Sequence, residues 1–296
     1  MRKIEKRSIF CLILAALLGL GLAFFCFQFV VDGGDWASYP YNRHLYNNAG
    51  QLKGGTILDR DGDMLSTLDE DGNRIYNDDA TVRRATLHAV GDKNGNIGAG
   101  ALTSFADKLS GYNLLTGVYS PLGTGNSLYL TIDAYLNNVA YQALNGMNGT
   151  VGVYNYKTGE ILCMVSTPTF DPANPPDIAA DDPAWDGVYV NRLLSANSIP
   201  GSIFKVVTIN AAIENIPDLF QRKWTCTGSV NIGGEEVTCP HAHGEQDIEE
   251  ALANSCNGVF GQLAVELGGE TMQKYADAAG LTKSIKVDGI QSSVGK

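Results

Sequence analysis

The feature that most constrains this chain is an uninterrupted apolar run close to its amino terminus. Residues 9–31 read IFCLILAALLGLGLAFFCFQFVV, with no charged side chain and with Gln28 as the one strongly polar residue. As an α-helix this run would be about 35 Å long, enough to cross the hydrocarbon core of a membrane. The alternative is a cleaved signal peptide, but the run is longer than the apolar part of such a peptide and no small-x-small cleavage site follows it. The sequence therefore predicts a retained transmembrane helix over 9–31, behind a short tail of residues 1–8.

The charges on the two sides of this run predict its orientation. Residues 1–31 carry four basic side chains and one acidic one, whereas the remainder carries 17 basic and 31 acidic side chains, a net charge of -14. Because basic residues are retained on the cytoplasmic side, we expect a cytoplasmic amino terminus and an extracytoplasmic body in the cell membrane. So acidic a body repels phosphate backbones, which excludes nucleic acid as a partner.

Residues 32–127 are expected to form a small, β-rich, membrane-proximal stalk. The segment 55–73, GTILDRDGDMLSTLDEDGN, contains two Asp-Gly dipeptides, which are strong hairpin signals. Alternate aspartates at 59, 61 and 63 also suggest a calcium loop, but Gly62 occupies position four of that loop and the EF-hand requires glycine at position six. We therefore interpret the segment as hairpins, followed by a glycine-rich connection over 85–127.

From residue 128 the pattern changes to that of an α+β domain. A short strand is predicted over Leu128–Ile132, and Asp133 is placed to cap an amphipathic helix over 134–144. Two apolar strands follow at 150–155 and 160–166, close enough in the sequence to form a hairpin.

Ser202 and Lys205 are the first candidates for chemistry. They follow Pro200-Gly201 at the predicted start of an apolar-periodic helix, so a spacing of three places them one turn apart on one face. The helix dipole and partial desolvation both disfavour a protonated lysine there, which would leave a neutral amine able to take the proton of the serine hydroxyl. A capping serine followed by a solvated lysine is the simpler structural interpretation of the same pattern.

A second candidate pair lies 53 residues downstream of Ser202. Ser255-Cys256-Asn257 precedes another apolar-periodic helix that we expect to end at Gly268-Gly269. A serine there could relay a proton to a leaving amine, and the Asn257 amide could hold both the lysine and a substrate carbonyl.

Together these motifs resemble the serine acyl-transferases that bind penicillin. Pro-Gly-Ser-x-Phe-Lys at 200–205, Ser-x-Asn at 255–257, LTID at 130–133, YKTGEILCMVSTPTFDP at 156–172 and His-Gly at 243–244 are similar to class B penicillin-binding proteins, particularly the elongation-type, single-anchor members of Gram-positive bacteria. GGTILDRDG at 54–62 resembles a further segment of that family, with Gly54 where arginine is usual. The resemblance implies a serine β-lactamase-like transpeptidase fold over residues 128–296.

One family motif has no counterpart in the expected place. The resemblance calls for Lys-Thr/Ser-Gly on a strand after the Ser-x-Asn helix, and no such sequence follows Asn257. Lys157-Thr158-Gly159 precedes the nucleophile and falls in a predicted turn, so we interpret it as unrelated. Because that strand supplies an oxyanion-hole donor worth on the order of 10²- to 10³-fold in turnover, we expect a transpeptidase domain incomplete at its carboxyl end, and weak or no acylation of this 296-residue form.

The resemblance also implies a reaction. Ser202 would attack the carbonyl between the two terminal D-alanines of a peptidoglycan stem peptide, with Lys205 as the base, Ser255 as the proton relay and Asn257 as a substrate-binding residue. β-Lactams would acylate Ser202, no metal or organic cofactor would be needed, and a membrane partner would polymerise the glycan. Two alternatives stay open: a β-lactamase or β-lactam sensor, which would not explain the stalk, and a non-catalytic or truncated scaffold of wall synthesis.

The remaining cysteines allow several interpretations. Cys226 and Cys239 flank a predicted hairpin at Gly233-Gly234, and His241 and His243 follow at once. A disulfide, free thiols and a zinc site all stay open for this group. His243 is interpreted as a structural histidine with its hydrogen bonds satisfied, and Cys163 and Cys256 as packed small residues.

Overall fold

The chain packs into two compact units, Met1–Ala196 and Asn197–Lys296. The computed structural model describes residues 2–37, 39, 41–47, 50, 54–111, 125–179 and 181–295. Residues 112–124 of the predicted glycine-rich connection lie outside this described part. The predicted α+β class is confirmed, since both units combine helices with short strands.

The first unit begins with one long helix, α1 (Arg2–Ala37). Its segment Arg7–Ala37 is long and apolar enough to cross a membrane, and its apolar side chains are exposed. The helix runs six residues past the predicted end of the span at Val31. This helix suggests a single-pass membrane anchor.

A four-stranded sheet follows, in the order β3-β2-β1-β4. Its strands are β1 (Ile57–Leu58), β2 (Met64–Leu68), β3 (Arg74–Tyr76) and β4 (Leu128–Tyr129). The first three pair antiparallel as the predicted hairpins, and β4 pairs parallel with β1. The Asp59 carboxylate accepts the backbone N–H groups of Asp61 and Asp63, so it shapes a turn with its own chain.

Four further α-helices of this unit lie within the described residues before α6 (Arg192–Ser195). They are α2 (Ala80–Val90), α3 (Ala101–Ser104), α4 (Ala106–Ser110) and α5 (Ala134–Leu144). Helices α3 and α4 are separated at Phe105, whose backbone leaves the helical region. The predicted helix over 134–144 is confirmed, with the Asp133 side chain accepting the Leu136 N–H as its cap.

The second hairpin joins β5 (Gly149–Tyr154) to β6 (Ile161–Thr167), as the sequence predicts. Its turn contains Lys157-Thr158-Gly159, and α6 (Arg192–Ser195) closes the unit. Helix α5 packs on this hairpin through Ala140, Cys163 and Val165. A separate cluster holds α2 against later loops through Leu87, Ile97, Phe170 and Val188.

The second unit places two main helices beside three short two-stranded sheets. Its helices and strands are α7 (Lys205–Asn215), β7 (Trp224–Cys226), β8 (Ser229–Ile232), β9 (Glu235–Thr238), β10 (Gly244–Gln246), α8 (Ile248–Ala253), α9 (Asn257–Ala278), β11 (Lys286–Val287) and β12 (Ile290–Gln291). Antiparallel pairs form between β7 and β10, β8 and β9, and β11 and β12. The predicted glycine hairpin is therefore confirmed as β8-β9. The helical backbone of α9 is broken at Gly268, whose φ is 75°, where the sequence predicts the helix to end, and a second helical stretch follows the kink and runs to Ala278.

Helix α7 packs on α9, and only some of its apolar residues are buried. Ile203, in the turn before α7, and Val206 are exposed, whereas Thr208, Ala211 and Ala212 are buried. Small side chains on the buried face allow the two helix backbones to approach closely. Lys205 lies on this buried face and is therefore largely shielded from water.

Candidate active site

A 3₁₀ turn places Ser202 beside Lys205. The turn, Gly201–Phe204, leads directly into α7, and Gly201 adopts a positive φ of 57° that favours glycine. Side chains three residues apart eclipse each other in a 3₁₀ turn, because it has three residues per turn. The Lys205 Nζ therefore lies 3.0 Å from the Ser202 Oγ, with Ser202 exposed and Lys205 only 9% exposed.

Ser255 joins this pair from the turn between α8 and α9. Its Oγ donates to the Ser202 Oγ at 2.9 Å, and the Lys205 Nζ lies 3.0 Å from both the Oγ and the backbone oxygen of Ser255. Ser255 has a φ of 51°, a left-handed conformation that is strained for a serine. A capping box formed by Asp247 and Glu250 fixes the start of α8 just before it.

Asn257, at the start of α9, completes the group. Its Oδ1 accepts from the Lys205 Nζ at 2.8 Å, and its Nδ2 donates to the Thr238 carbonyl at 2.8 Å. A carbonyl oxygen accepts but never donates, so the Thr238 bond determines which end of the amide faces the lysine. The Asn257 oxygen is therefore held toward Lys205.

The surroundings of Lys205 favour its neutral form. Burial lowers the pKa of this lysine from its ordinary value, in the direction expected from the sequence. A neutral amine has two N–H groups and one lone pair, and the oxygens of Asn257 Oδ1 and the Ser255 backbone accept only. If the two N–H groups donate to those oxygens, the lone pair is free to accept a hydrogen bond from the hydroxyl of Ser202 or Ser255. The geometry thus suits a general base beside an exposed nucleophile.

The structure brings all four predicted site residues together within the second unit. Ser202, Lys205, Ser255 and Asn257 form one hydrogen-bonded group, and their catalytic and binding roles stay predictions. Lys157-Thr158-Gly159 lies in the β5-β6 turn of the first unit, as predicted. Sequence reasoning missed the carbonyl of Thr238, because a backbone contact to a residue 19 positions away leaves no mark on the sequence.

A second group of reactive side chains lies in the same unit. One sulfur or nitrogen atom from each of Cys226, Cys239, His243 and Cys256 lies within 4.8 Å of the others, and all three cysteines are free thiols. The sequence suggested His241 as a member, but Cys256 takes that place. The interpretation of His243 as a satisfied structural histidine is wrong for its Nδ1, which is buried and has no hydrogen-bond partner among the described residues.

Comparisons with known proteins agree with this site. The penicillin binding protein transpeptidase domain family matches residues 149–296, half of the chain. Stage V sporulation protein D of Bacillus subtilis is 34% identical over 182 residues, which cover 57% of this chain and 27% of that protein. Peptidoglycan D,D-transpeptidase PbpA of Mycolicibacterium smegmatis is 30% identical over 178 residues, covering 53% and 36%. The chain thus spans about a third or less of the length of these relatives.

Solved structures show the same fold. The D,D-transpeptidase domain of a peptidoglycan glycosyltransferase from Eggerthella lenta matches with a TM-score of 0.64 and 28% identity, covering 82% of this chain and 56% of that one. Penicillin-binding protein A of M. tuberculosis, solved as a ceftriaxone acyl-enzyme complex, matches with a TM-score of 0.59 at 21% identity, covering 82% and 61%, and supports the fold alone. The resemblance to serine-type D,D-transpeptidases is confirmed, and the chain belongs to the penicillin-binding protein transpeptidase family, as its class B motifs predict.

Proposed function

We propose that this chain carries the acylation machinery of a peptidoglycan D,D-transpeptidase, with Ser202 as the residue that forms the acyl-enzyme. The observation that carries the proposal is the position of the Lys205 Nζ, 2.8–3.0 Å from the Ser202 hydroxyl, the Ser255 hydroxyl and the Asn257 amide oxygen. The membership of the chain in the family supports it.

The reaction would proceed in two acyl transfers. Lys205 takes the Ser202 proton while Oγ attacks the carbonyl between the two terminal D-alanines of a stem peptide. The tetrahedral intermediate collapses, the C–N bond breaks, and Ser255 passes the proton from Lys205 to the departing D-alanine amine. An amine of a neighbouring stem then attacks the Ser202 ester, loses its proton to the same relay, and leaves a cross-linked peptide and free Ser202.

The same attack would open a β-lactam ring, so we propose that β-lactams acylate Ser202. A β-lactam presents its strained amide where the stem peptide presents the D-alanine amide. The ring amine stays covalently attached after the C–N bond breaks, which hinders its replacement by an acceptor amine. The match to the penicillin binding protein transpeptidase domain family supports this assignment.

The proposed location of the protein follows from its charges and its first helix. We propose a cytoplasmic tail over 1–8, a transmembrane helix over 9–31, a stalk over 32–127 and a transpeptidase domain over 128–296. The acidic body would then face the cell wall, where stem peptides are found, beside a membrane partner that polymerises glycan. The exposed apolar surface of α1 supports this arrangement.

Labelling with fluorescent penicillin tests the proposal. In the full gene product we expect one covalent label, located by mass spectrometry on Ser202, and we expect Ser202→Ala to abolish it. Ser198→Ala is the matched control, because Ser198 is an exposed serine four residues earlier that has no part in the hydrogen-bonded group.

Three outcomes would count against this function. A Ser202→Ala protein that still takes up label would remove Ser202 as the nucleophile. A folded, full-length protein that takes up no label at all would favour a non-catalytic scaffold. Release of hydrolysed penicillin at a rate that matches acylation would instead indicate a β-lactamase.

A further inference from the structure

The group formed by Cys226, Cys239, His243 and Cys256, hereafter the thiol–imidazole cluster, lies outside the chemistry proposed above. The spacing in the sequence is Cys-x12-Cys-x3-His-x12-Cys. Cys226 and Cys256 are buried, and Cys239 and His243 are partly buried. Three thiols and one imidazole therefore converge beside the apolar core of the unit, to which Cys226 and Cys256 themselves belong.

Each member of the cluster stands at the end of a regular element. Cys226 is the last residue of β7 and pairs with Gly244 of β10, while His243 immediately precedes β10. Cys239 follows β9, and its N–H donates to the Gly228 carbonyl. Cys256 is the N-cap of α9, so the positive end of the helix dipole faces its sulfur. The cluster therefore joins the β7–β10 pair, the β8–β9 hairpin and α9.

The spacing of the ligand atoms suits a tetrahedral metal site, with the Cys239 and Cys256 sulfurs already at the expected separation and small side-chain movements sufficient for the rest. The Cys239 and Cys256 sulfurs lie 3.7 Å apart, and all four candidate ligand atoms lie within 4.8 Å of one another. Zinc binds thiolate sulfur at about 2.3 Å and imidazole nitrogen at about 2.0–2.1 Å, so two ligands of one tetrahedral ion are separated by about 3.3–3.8 Å. A disulfide between Cys239 and Cys256 needs their sulfurs at about 2.0 Å, well below the observed 3.7 Å, and Cys226 is a free thiol as well.

An unpartnered atom points independently to a missing ligand. The His243 Nδ1 is buried and makes no hydrogen bond within the described part of the chain. A buried ring nitrogen without a partner is costly, and a metal ion is a ligand that would satisfy it. His241 stacks edge-on against His243 with ring centroids 4.5 Å apart, but it is exposed and lies outside the cluster.

We propose that the thiol–imidazole cluster binds one Zn²⁺ ion as a closed, structural Cys₃His site. Three sulfurs and one imidazole complete a tetrahedral shell, which leaves no open position for water or substrate. Thiolate-rich tetrahedral sites select zinc over magnesium or calcium, which prefer oxygen ligands. Binding releases the protons of the thiols to solvent, so zinc affinity rises with pH.

The ion would hold the Ser255–Asn257 segment in place from behind. Cys256 lies between these two site residues, and Cys239 directly follows Thr238, whose carbonyl orients the Asn257 amide. A metal bound to both Cys239 and Cys256 would fix the chain neighbours of the acceptor, Thr238, and of the donor, Asn257. Its other two ligands would connect this pair to β7 and β10. Zinc binding is measured without acylation. The zinc proposal can therefore be confirmed or refuted independently of the proposed transpeptidase function.

Metal content and cobalt spectroscopy of the detergent-solubilised, unmutated protein test the site. After growth with zinc and purification without chelator, we expect about one zinc per chain. Replacement by Co²⁺ should give the visible bands of tetrahedral coordination and intense sulfur-to-cobalt charge-transfer bands in the near ultraviolet. These measurements need no variant, so they stand even if a substitution prevents folding.

Variants then assign the ligands. Cys239→Ser and His243→Ala should each weaken zinc binding by more than the roughly 10- to 100-fold that loss of an outer-shell partner costs. His241→Ala is the matched control for the histidine, and Cys163→Ser, a buried thiol of the first unit, is the control for the cysteine. Both controls should retain about one zinc per chain.

Several results would overturn the proposal. Unmutated protein without zinc and without cobalt thiolate bands would do so, as would a Cys226–Cys239 disulfide in the peptide map of unreduced protein. Equal loss of zinc from His241→Ala and His243→Ala would contradict the ligand assignment. Iron in place of zinc at one atom per chain would contradict the identity of the metal.

Discussion

At the scale of single residues, the ability of Lys205 to act as a base depends on which neighbouring oxygens its amine donates to and accepts from. Its nitrogen faces two oxygens that only accept and two hydroxyls that can donate. Burial lowers its pKa, and the fixed amide of Asn257 supplies a constant acceptor. A lysine in these surroundings serves as a base more readily than one in water, because the charged form loses hydration that the oxygens only partly replace.

Lys205→Arg separates the role of the charge from the role of the base. Arginine keeps a positive charge and five donors but is never deprotonated at ordinary pH. If Lys205 is the base, we expect the rate of acylation by fluorescent penicillin in the full gene product to fall by about 10²- to 10⁴-fold. Lys274→Arg, at an exposed lysine of α9, should leave the rate unchanged. An arginine variant that acylates at the original rate would assign Lys205 to charge stabilisation instead.

The pH dependence of acylation follows from the same lysine. Because burial lowers the Lys205 pKa, its neutral fraction becomes substantial at a lower pH than for an exposed lysine. We expect the acylation rate to rise with pH and to level off below the ordinary pKa of lysine, about 10.4. A rate that follows the titration of an exposed lysine would show that the burial has no effect on the base.

At the scale of elements, α2 carries a buried histidine that the chemistry does not use. His88 is 1% exposed, and its Nε2 lies 2.8 Å from the Val188 carbonyl, which the neutral ring can satisfy as a donor. Burial lowers the pKa of His88 to about 4, against an ordinary value of 6.5. The unfolded chain therefore binds a proton between pH 6.5 and 4 that the folded chain does not bind.

This difference predicts a loss of stability in acid. The contribution of neutral His88 is fully present above about pH 6.5 and declines as the pH falls towards 4, by about 3 kcal/mol in total. Hydrogen exchange of the α2 amides, corrected for intrinsic rates, should report the decline. His88→Gln keeps a donor for the Val188 carbonyl without a titrating ring, so its α2 stability should stay flat over that range. A similar decline in the glutamine variant would exclude His88 as the cause.

At the scale of the whole molecule, α1 differs from every other helix of the described chain. Its apolar side chains are exposed along its length, whereas each of the helices α2 to α9 buries some of its side chains. An apolar surface of this size is stable only in lipid or against a partner. The helix therefore suggests a single-pass membrane anchor.

Deletion of residues 2–37 tests this role. The full chain should sediment with membranes and resist extraction by alkaline carbonate, because about 20 apolar residues are enough for stable insertion. The shortened chain should remain in the supernatant and keep the circular dichroism of the two units. A full chain that leaves the membrane in carbonate would show that α1 does not span it.

Much of the local structure was predictable from the sequence, because near neighbours in the chain determine it. Asp133 caps α5 through the Leu136 N–H, three residues away, and the apolar strands of β5 and β6 meet across a turn of a few residues. The Ser202-x-x-Lys205 spacing likewise placed both side chains one turn apart on one face of the helix. Each of these features requires only backbone geometry and the hydrogen bonds of a single turn.

The buried face of α7 was predictable only in part. Its apolar residues recur at a helical period, but Val206 and Ile213 are exposed, whereas the small residues Ala211 and Ala212 are buried. Periodicity measures which residues are apolar, while helix packing depends also on which surface permits close approach. Lys205 is buried because it lies on the face of α7 that packs inward.

The sequence by itself determined the apolar anchor, the α+β class, the family and the four residues of the candidate site, because these depend on residue type, local spacing and recognisable motifs. Only the tertiary structure decided that Ser255, 53 residues from Ser202, bonds to it, that Thr238 orients Asn257, and that Cys256 joins Cys239. Contacts of this kind are set by how α9 packs beside α7 and the β8-β9 hairpin. No pattern within a short stretch of chain contains that information, since packing joins segments whose separation in the sequence is arbitrary.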